Sequence, residues 1–273
     1  MINLFLELKK IIKYRHLLFR LVIVELKVRY KHPFLGFLWA FIVPLFMILI
    51  FMFIFSYVIK LPHKGYPFFI FLVSGLFPWN YLILSISAST TSLLDRGDII
   101  KKVYFPRAII PMSIVAVNLV LFIFSLGLML VFLIICKVKL TPLIFLLPVI
   151  ILMQTFFIMG LSFIVSSLQV KYRDVKYIVE VLLFVWFYLT PIFYPLDLIA
   201  IIPGPLLKIY MLNPLTQIIT FYRIALINNY VNNIPPQIGL FGLMLSNFLI
   251  CTTVFLFGFV IFKKQEPQFV DLI

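Results

Sequence analysis

The chain has 273 residues, of which 64% are hydrophobic and 12% charged, and its 23 Lys and Arg against 9 Asp and Glu leave a net charge of +14. A soluble domain is roughly 45–50% apolar and about 25% charged, so the composition excludes a water-soluble domain of any size. In a soluble protein this charge would point to nucleic acid; here the cations sit in short clusters between long apolar runs, which points to anionic lipid headgroups instead.

Residues 2–22 read as one amphipathic helix. At about 100° per residue, Leu4, Phe5, Leu8, Ile11, Ile12, Leu18 and Phe19 share one side and Asn3, Glu7, Lys9, Lys10, Lys13, His16 and Arg20 the other. A basic polar face of this kind suits a helix lying in the membrane interface, with Arg15 snorkelling from the apolar side. Lys27, Arg29, Lys31 and His32 then lead into a charge-free run, Pro33–Ile59. Those 27 residues exceed the ~20 that a bilayer core requires, and Pro44 is the expected kink. Residues 1–32 thus form the interface helix and basic lead-in, and 33–59 the first span.

The second span covers 66–94, with Pro78 in its middle and a run of small polar residues (Ser85, Ser87, Ser89, Thr90, Thr91, Ser92) in its second half. Such residues suit close helix packing or a water-lined surface, and packing is the preferred reading. Between Asp95 and Arg107 the acids Asp95 and Asp98 precede Lys101 and Lys102, an order that complements the dipole of a short helix, which Pro106 should end. Two readings stand for this loop: a docking element or a solvated turn. Spans three to five are expected over 108–136, 143–169 and 177–194, with Lys171–Lys176 as the loop between the last two. Glu180, an acid near the cytoplasmic end of its span, is a functional candidate on that ground, but it can reach Lys176 one turn back, and a structural ion pair is the preferred reading.

Residues 195–237 are apolar but cut by six prolines. Their longest helix, Pro214–Asn228, has Asn213 as N-cap and Pro214 at the first helical position. At about 22 Å it is shorter than the ~30 Å core, so the segment reads as a re-entrant or interface-lying hairpin. The sixth span is 238–262, followed by Lys263, Lys264 and a tail over 266–273. With both termini inside, Lys and Arg divide 17 inside to 6 outside, the six being Lys60, Lys64, Lys137, Lys139, Lys208 and Arg223. This bias supports six spans and cytoplasmic termini.

Several chemistries lack their residues. No G-x-x-x-x-G-K-[ST] phosphate loop occurs. His16, His32 and His63 are too dispersed for a metal cluster. Cys136 and Cys251 sit in apolar sequence and read as filler, although a pairing between them stays open. No carboxylate falls in mid-membrane, as a proton- or sodium-coupled carrier would require. Energy for any transport must come from outside the chain.

Five segments in order, ELKVRYKHPFLGFLWAFIVP (25–44), SGLFPWNY (74–81), IIKKVYFPRAIIPMS (99–113), YRDVKYIVEVLLFVWFYLTPIFYP (172–195) and LNPLTQIITFYRIAL (212–226), resemble the permease subunits of type-2 ABC exporters of lipid-linked polysaccharides such as O-antigen, teichoic acid and capsule. The resemblance implies an all-α integral membrane protein: six transmembrane helices, an N-terminal amphipathic interface helix and two short re-entrant helices in the last external loop. It implies a homodimer in the bacterial cytoplasmic membrane, with both termini cytoplasmic. Two ABC ATPase subunits would carry ATP and Mg, so this chain is itself no enzyme and holds no cofactor or metal. It places Asp95, Arg96, Asp98, Lys101, Lys102, Arg107, Arg173, Asp174 and Lys176 against those ATPases, and Asn213, Pro214 and Arg223 at an external gate. Thr220 stands where many relatives carry an acid, which weakens a charged gate here.

The function expected is export of an undecaprenyl-linked polysaccharide, with membrane lipid as a partner and no nucleic acid. Tyr30, Trp39, Tyr57, Trp79, Tyr81, Trp186 and Tyr188 could offer stacking faces to a sugar chain; an ordinary interfacial aromatic belt is the other reading. A type-2 ABC permease for a drug or lipid, and a membrane enzyme acting on polyprenyl lipids, are the alternatives.

Overall fold

The computed structural model describes residues 4–30, 38–58, 68–135, 141–196, 207, 210–228, 230 and 239–273. Among these residues the chain is helical throughout, without strands. Cys136, Lys137 and most of 195–209 and 229–238 lie outside them, so the expectations that rest on those residues lie outside them too.

The expected single N-terminal helix is two, α1 (Leu4–Lys13) and α2 (Arg15–Tyr30). They are separated by a turn at Tyr14, whose N–H donates to the Lys10 and Ile11 carbonyls and whose carbonyl accepts from the Leu17 and Leu18 N–H groups. Tyr14, Leu17, Leu18 and Leu21 pack on the same apolar cluster as Ile11. Ile11 is buried with residues from the ends of the long helices, and α2 packs along α6 (Ile109–Ile135), where Arg29 Nη1 donates to Asn118 Oδ1 at 3.0 Å. Arg15 is exposed, so it has no need to snorkel.

The first span is described as α3 (Trp39–Met52), continued by a π-helical stretch, Phe53–Val58. The regular ladder persists through Pro44 and departs only at Phe53. Pro44 lies past the first turn, so it withholds one ladder donor without ending the helix.

Helices α4 (Phe68–Asp95), α6, α7 (Leu147–Lys171, entered by a 3-10 turn, Pro142–Leu146) and α10 (Leu240–Gln265) form the bundle. Among the described residues these are the four helices long and apolar enough to cross a membrane. The closest pair is α7 with α10. A Cβ built on Gly258 would lie 2.2 Å from the Gly160 carbonyl oxygen, and one on Gly160 would lie 2.5 Å from that of Val254. Small residues let the backbones touch here, which is where van der Waals packing between apolar helices is strongest. The small polar half of α4 is packed: Ser85, Ser89, Thr90 and Ser92 are buried. Thr90 donates to Ile86 O and Ser92 to Ser89 O.

The remaining helices are shorter. α5 (Gly97–Lys102) stops before Pro106, because Val103 is already extended (φ −128°, ψ 135°) and the chain turns away to bury Phe105. α8 (Val175–Leu189) has 15 residues, fewer than the sequence suggested. It ends at Thr190, held extended by the following Pro191. Lys176 and Glu180 are both exposed, with no ion pair between them among the described residues. α9 (Pro214–Leu226) begins where expected and ends two residues early. Past α10 the tail is folded: a 3-10 turn, Glu266–Gln268, and α11 (Phe269–Leu272). Phe269 is buried against Phe262 with ring centroids 5.2 Å apart.

Candidate functional site

The C-terminal ends of α4, α7 and α10 and the start of α6 meet in one apolar cluster that includes Leu93, Phe105, Ile109, Val170, Phe262 and Phe269. The charged loops hang from this cluster, so its packing sets where their side chains stand. On α5, Asp98, Lys101 and Lys102 are exposed, with the acid in the first turn and the bases in the last. Asp95 is exposed too, and its Oδ2 accepts from Thr91 Oγ1 at 2.7 Å. In the loop after α7, Arg173, Asp174 and Lys176 are all exposed.

Two of the predicted docking residues are turned inward. Arg96 pairs with Glu25 on α2 and donates to Ser113 Oγ on α6 at 3.3 Å. Arg107 donates its backbone N–H to Glu266 Oε1 at 2.8 Å and its guanidinium to the Glu266 carbonyl. These arginines brace the α4–α6 loop against α2 and the tail, and that leaves Asp98, Lys101 and Lys102 as its outward charges.

The bracing continues through the N-terminal helix. Lys263 Nζ lies 2.7 Å from Glu7 and 2.6 Å from Glu266, and Lys10 Nζ lies 2.7 Å from Glu7. The ammonium of Lys10, then that of Lys263, holds the Glu7 carboxyl below its ordinary value of 4.5. The Glu7 carboxylate in turn raises the pKa of Lys10. Ile273 sits over Gly97, where a Cβ would come within 2.5 Å of it.

The 171–176 loop has its own brace, one the sequence reading did not single out. Gln169 Nε2 donates to the Arg173 carbonyl at 2.8 Å, and Gln169 Oε1 accepts from the Lys176 N–H at 2.7 Å. One buried amide thus fixes both ends of a four-residue turn. The only sequence signal was a polar residue at the last turn of an apolar helix.

At the other end of the bundle the expected gate residues surround α9. Asn213 caps it: its Oδ1 accepts from the Leu215 N–H at 3.1 Å and from Trp186 Nε1 at 3.0 Å. The Pro214 carbonyl accepts from Asn247 Nδ2 at 3.1 Å. Arg223, counted with the external segments and expected at the gate, is fully buried. Its Nη2 donates to the Ile192 carbonyl at 2.7 Å and its guanidinium lies 3.6 Å from the Phe71 ring centroid. Every residue from Leu215 to Leu226 is buried. Tyr222 donates to Gln154 Oε1 at 2.8 Å, and Gln154 Nε2 donates to the Pro78 carbonyl at 2.7 Å. α9 is therefore a core helix tied to α4, α7 and α10.

The aromatic candidates separate in the same way. Trp79 and Tyr81 are core residues; Trp79 packs on Phe187, and Tyr81 stacks on Phe122 while its hydroxyl donates to Thr155. Trp186 is half-buried, and Trp39 and Tyr188 are exposed. Tyr30 and Tyr57 lie in helical backbone, with side chains outside the described set. Cys251 is buried and free, its Sγ donating to Asn247 Oδ1 at 3.3 Å.

Residues 16–227 match the description of the ABC-2 type transporter. The chain belongs to that family. It is 35% identical over 85% of its length, and 88% of the relative's, to the O-antigen export system permease protein RfbA of Myxococcus xanthus. Two O-antigen export system permease proteins RfbA of Klebsiella pneumoniae are 33% and 32% identical to it, each over 94% of this chain and 96% of the relative. An ABC-2 permease is a multi-pass membrane protein that works in a complex with an ABC ATPase. The matched stretch runs from α2 to just beyond α9, so it contains α5, the 171–176 loop and the buried Arg223.

Proposed function

We propose that this ABC-2 permease exports an undecaprenyl-linked polysaccharide of the O-antigen, teichoic acid or capsule type across the bacterial cytoplasmic membrane. The observation that carries the cargo assignment is the 35% identity to an O-antigen export permease across nearly the whole of both chains. In this reading the protein is a homodimer with six crossings per subunit. The four long helices are joined by α3 with its π-helical extension and by α8. Both termini face the cytoplasm, in keeping with the 17-to-6 division of Lys and Arg.

Two ATPase subunits carry the ATP and Mg. They press on Asp98, Lys101 and Lys102 of α5 and on Arg173, Asp174 and Lys176, the exposed charges at the braced end of the bundle. Arg96 and Arg107 act behind them, transmitting load to α2 and to the tail. The test is purification of the native permease–ATPase complex in mild detergent, followed by mass spectrometry of its extractable lipid. A polyprenyl pyrophosphate bearing sugar is the expected ligand. A complex that carries only phospholipid, and expels a drug or phospholipid from proteoliposomes on ATP addition, would replace the glycan assignment.

A further inference from the structure

We infer that the tail helix α11 shares with α5 the surface that receives the ABC ATPase, so that the partner's footprint extends past the α4–α6 loop onto the C-terminal residues. This rests on the reading above in which α5 docks the ATPase. α5 and the tail are packed as one body. Phe269 is buried in the same apolar cluster as Ile100, Ile273 reaches Gly97, and Glu266 holds Arg107 through both its carboxylate and its carbonyl. A partner that presses on α5 therefore meets α11 beside it in a fixed relation.

The two elements border one cleft of about 290 Å³, at the bottom of the ~300–1,000 Å³ range of small-ligand pockets. Ile100, Val103 and Val270 supply its apolar lining, Lys101 and Lys102 its charge, and Tyr104 stands at it 92% exposed. Among the described residues no carboxylate lines the cleft, and neither lysine has an ion pair. Apolar lining beside two free ammoniums fits a partner segment that sets an apolar side chain next to an acid, with Tyr104 as an aromatic anchor of the kind enriched at interfaces. An anionic bilayer surface is a poor cover, because Asp98 on α5 and Asp271 on α11 are both exposed. The cleft continues the outward face of α5, and that continuity assigns it to the partner that α5 docks.

The test measures binding of the purified ATPase to the full permease in lipid nanodiscs. Val270→Asp sets a carboxylate beside Lys101 and Lys102 and should weaken binding about tenfold, the loss expected for a contact inside an interface. Lys101→Gln/Lys102→Gln should do the same, and Val270→Leu should bind as wild type does. Val270 is exposed, so the thermal midpoint of the Val270→Asp permease alone should not move. Independently of stability, Val270→Cys carrying a short photoreactive linker should crosslink to the ATPase in native membranes. Normal binding by Val270→Asp and no ATPase captured at Val270→Cys, with weak binding by the double lysine variant, would place the tail outside the footprint and leave α5 docking intact. Normal binding by the lysine variant as well would remove α5 docking and this inference together. Capture of phospholipid in place of the ATPase would make the cleft a membrane surface and overturn the inference.

Discussion

Arg223 Nη2 and the carbonyl oxygen of Ile192 stand 2.7 Å apart in the middle of an apolar core. Ile192 lies beyond the end of α8, outside any helical ladder, so the guanidinium supplies a donor that the fold there does not. Gly75 makes the approach possible: a Cβ on it would lie 3.0 Å from the Ile192 oxygen and 3.3 Å from Arg223 Nη2. A hydrogen bond to a charged group contributes about 1.5–3 kcal/mol and a desolvated cation–π contact about 2. Arg223→Ala should therefore destabilise the protein by about 3 kcal/mol, read as a lower thermal midpoint in detergent. Arg223→Lys should recover only part of that, since one ammonium cannot both reach Ile192 and lie flat on Phe71.

The glycines of the bundle predict a contrast within one residue type. Gly258→Ala places a methyl group 2.2 Å from the Gly160 oxygen, where only backbone movement can relieve it; overpacking of this kind costs about 1–3 kcal/mol or more. Gly127→Ala in α6 meets nothing within 4 Å and should be neutral or mildly stabilising, by up to about 1 kcal/mol from helix propensity. Thermal unfolding of the two variants side by side would separate them. Equal midpoints would refute the close α7–α10 contact.

Gln169→Ala should loosen the 171–176 turn without unfolding the bundle. The expected outcome in proteoliposomes holding the full transporter is continued ATP hydrolysis with reduced export, as for Arg173→Ala or Asp98→Ala. Gln169→Glu keeps the acceptor for the Lys176 N–H but loses the donor to Arg173, and should fall between wild type and alanine. Normal export in Gln169→Ala would show that the turn needs no such brace.

The Glu7 network predicts a pH dependence of known sign. Because the folded carboxyl titrates below its ordinary 4.5, its contribution is complete above that pH and disappears as the pH falls through the lower folded value. A fluorophore on α1 should report release of the helix from Lys263 on acidification below about 4.5. Glu7→Gln should remove that step.

Thr141 Oγ1 donates to the Ala225 carbonyl at 2.5 Å, joining the entry to α7 to the end of α9. If α9 stays in the core throughout transport, a Thr141→Cys/Ala225→Cys disulfide should leave the export rate unchanged. A crosslinked protein that stalls, and recovers on reduction, would show that α9 moves as a gate.

Much of this architecture was legible in the sequence because hydropathy and proline act locally. The four long helices and the capped start at Asn213 and Pro214 follow from run length and side-chain capping. What was not legible depends on partners distant in the chain. Arg223 counts as an external charge until Phe71 and Ile192 are seen around it. Arg96 and Arg107 look like docking residues until Glu25 and Glu266 reach them from 71 and 159 positions away. Trp79 and Tyr81 look like interface aromatics, yet their rings meet Phe187 and Phe122 in the core.

The Gly160–Gly258 contact leaves no side-chain cushion between α7 and α10. Side chains absorb small slippages by changing rotamer; two backbones in contact cannot. α7 runs on to the turn held by Gln169, and α10 runs on to Lys263 and Glu266, which hold α1 and Arg107. A push delivered at Arg173 therefore arrives at the N-terminal helix with little slack, and the two helices behave mechanically as one lever pinned at a pair of glycines.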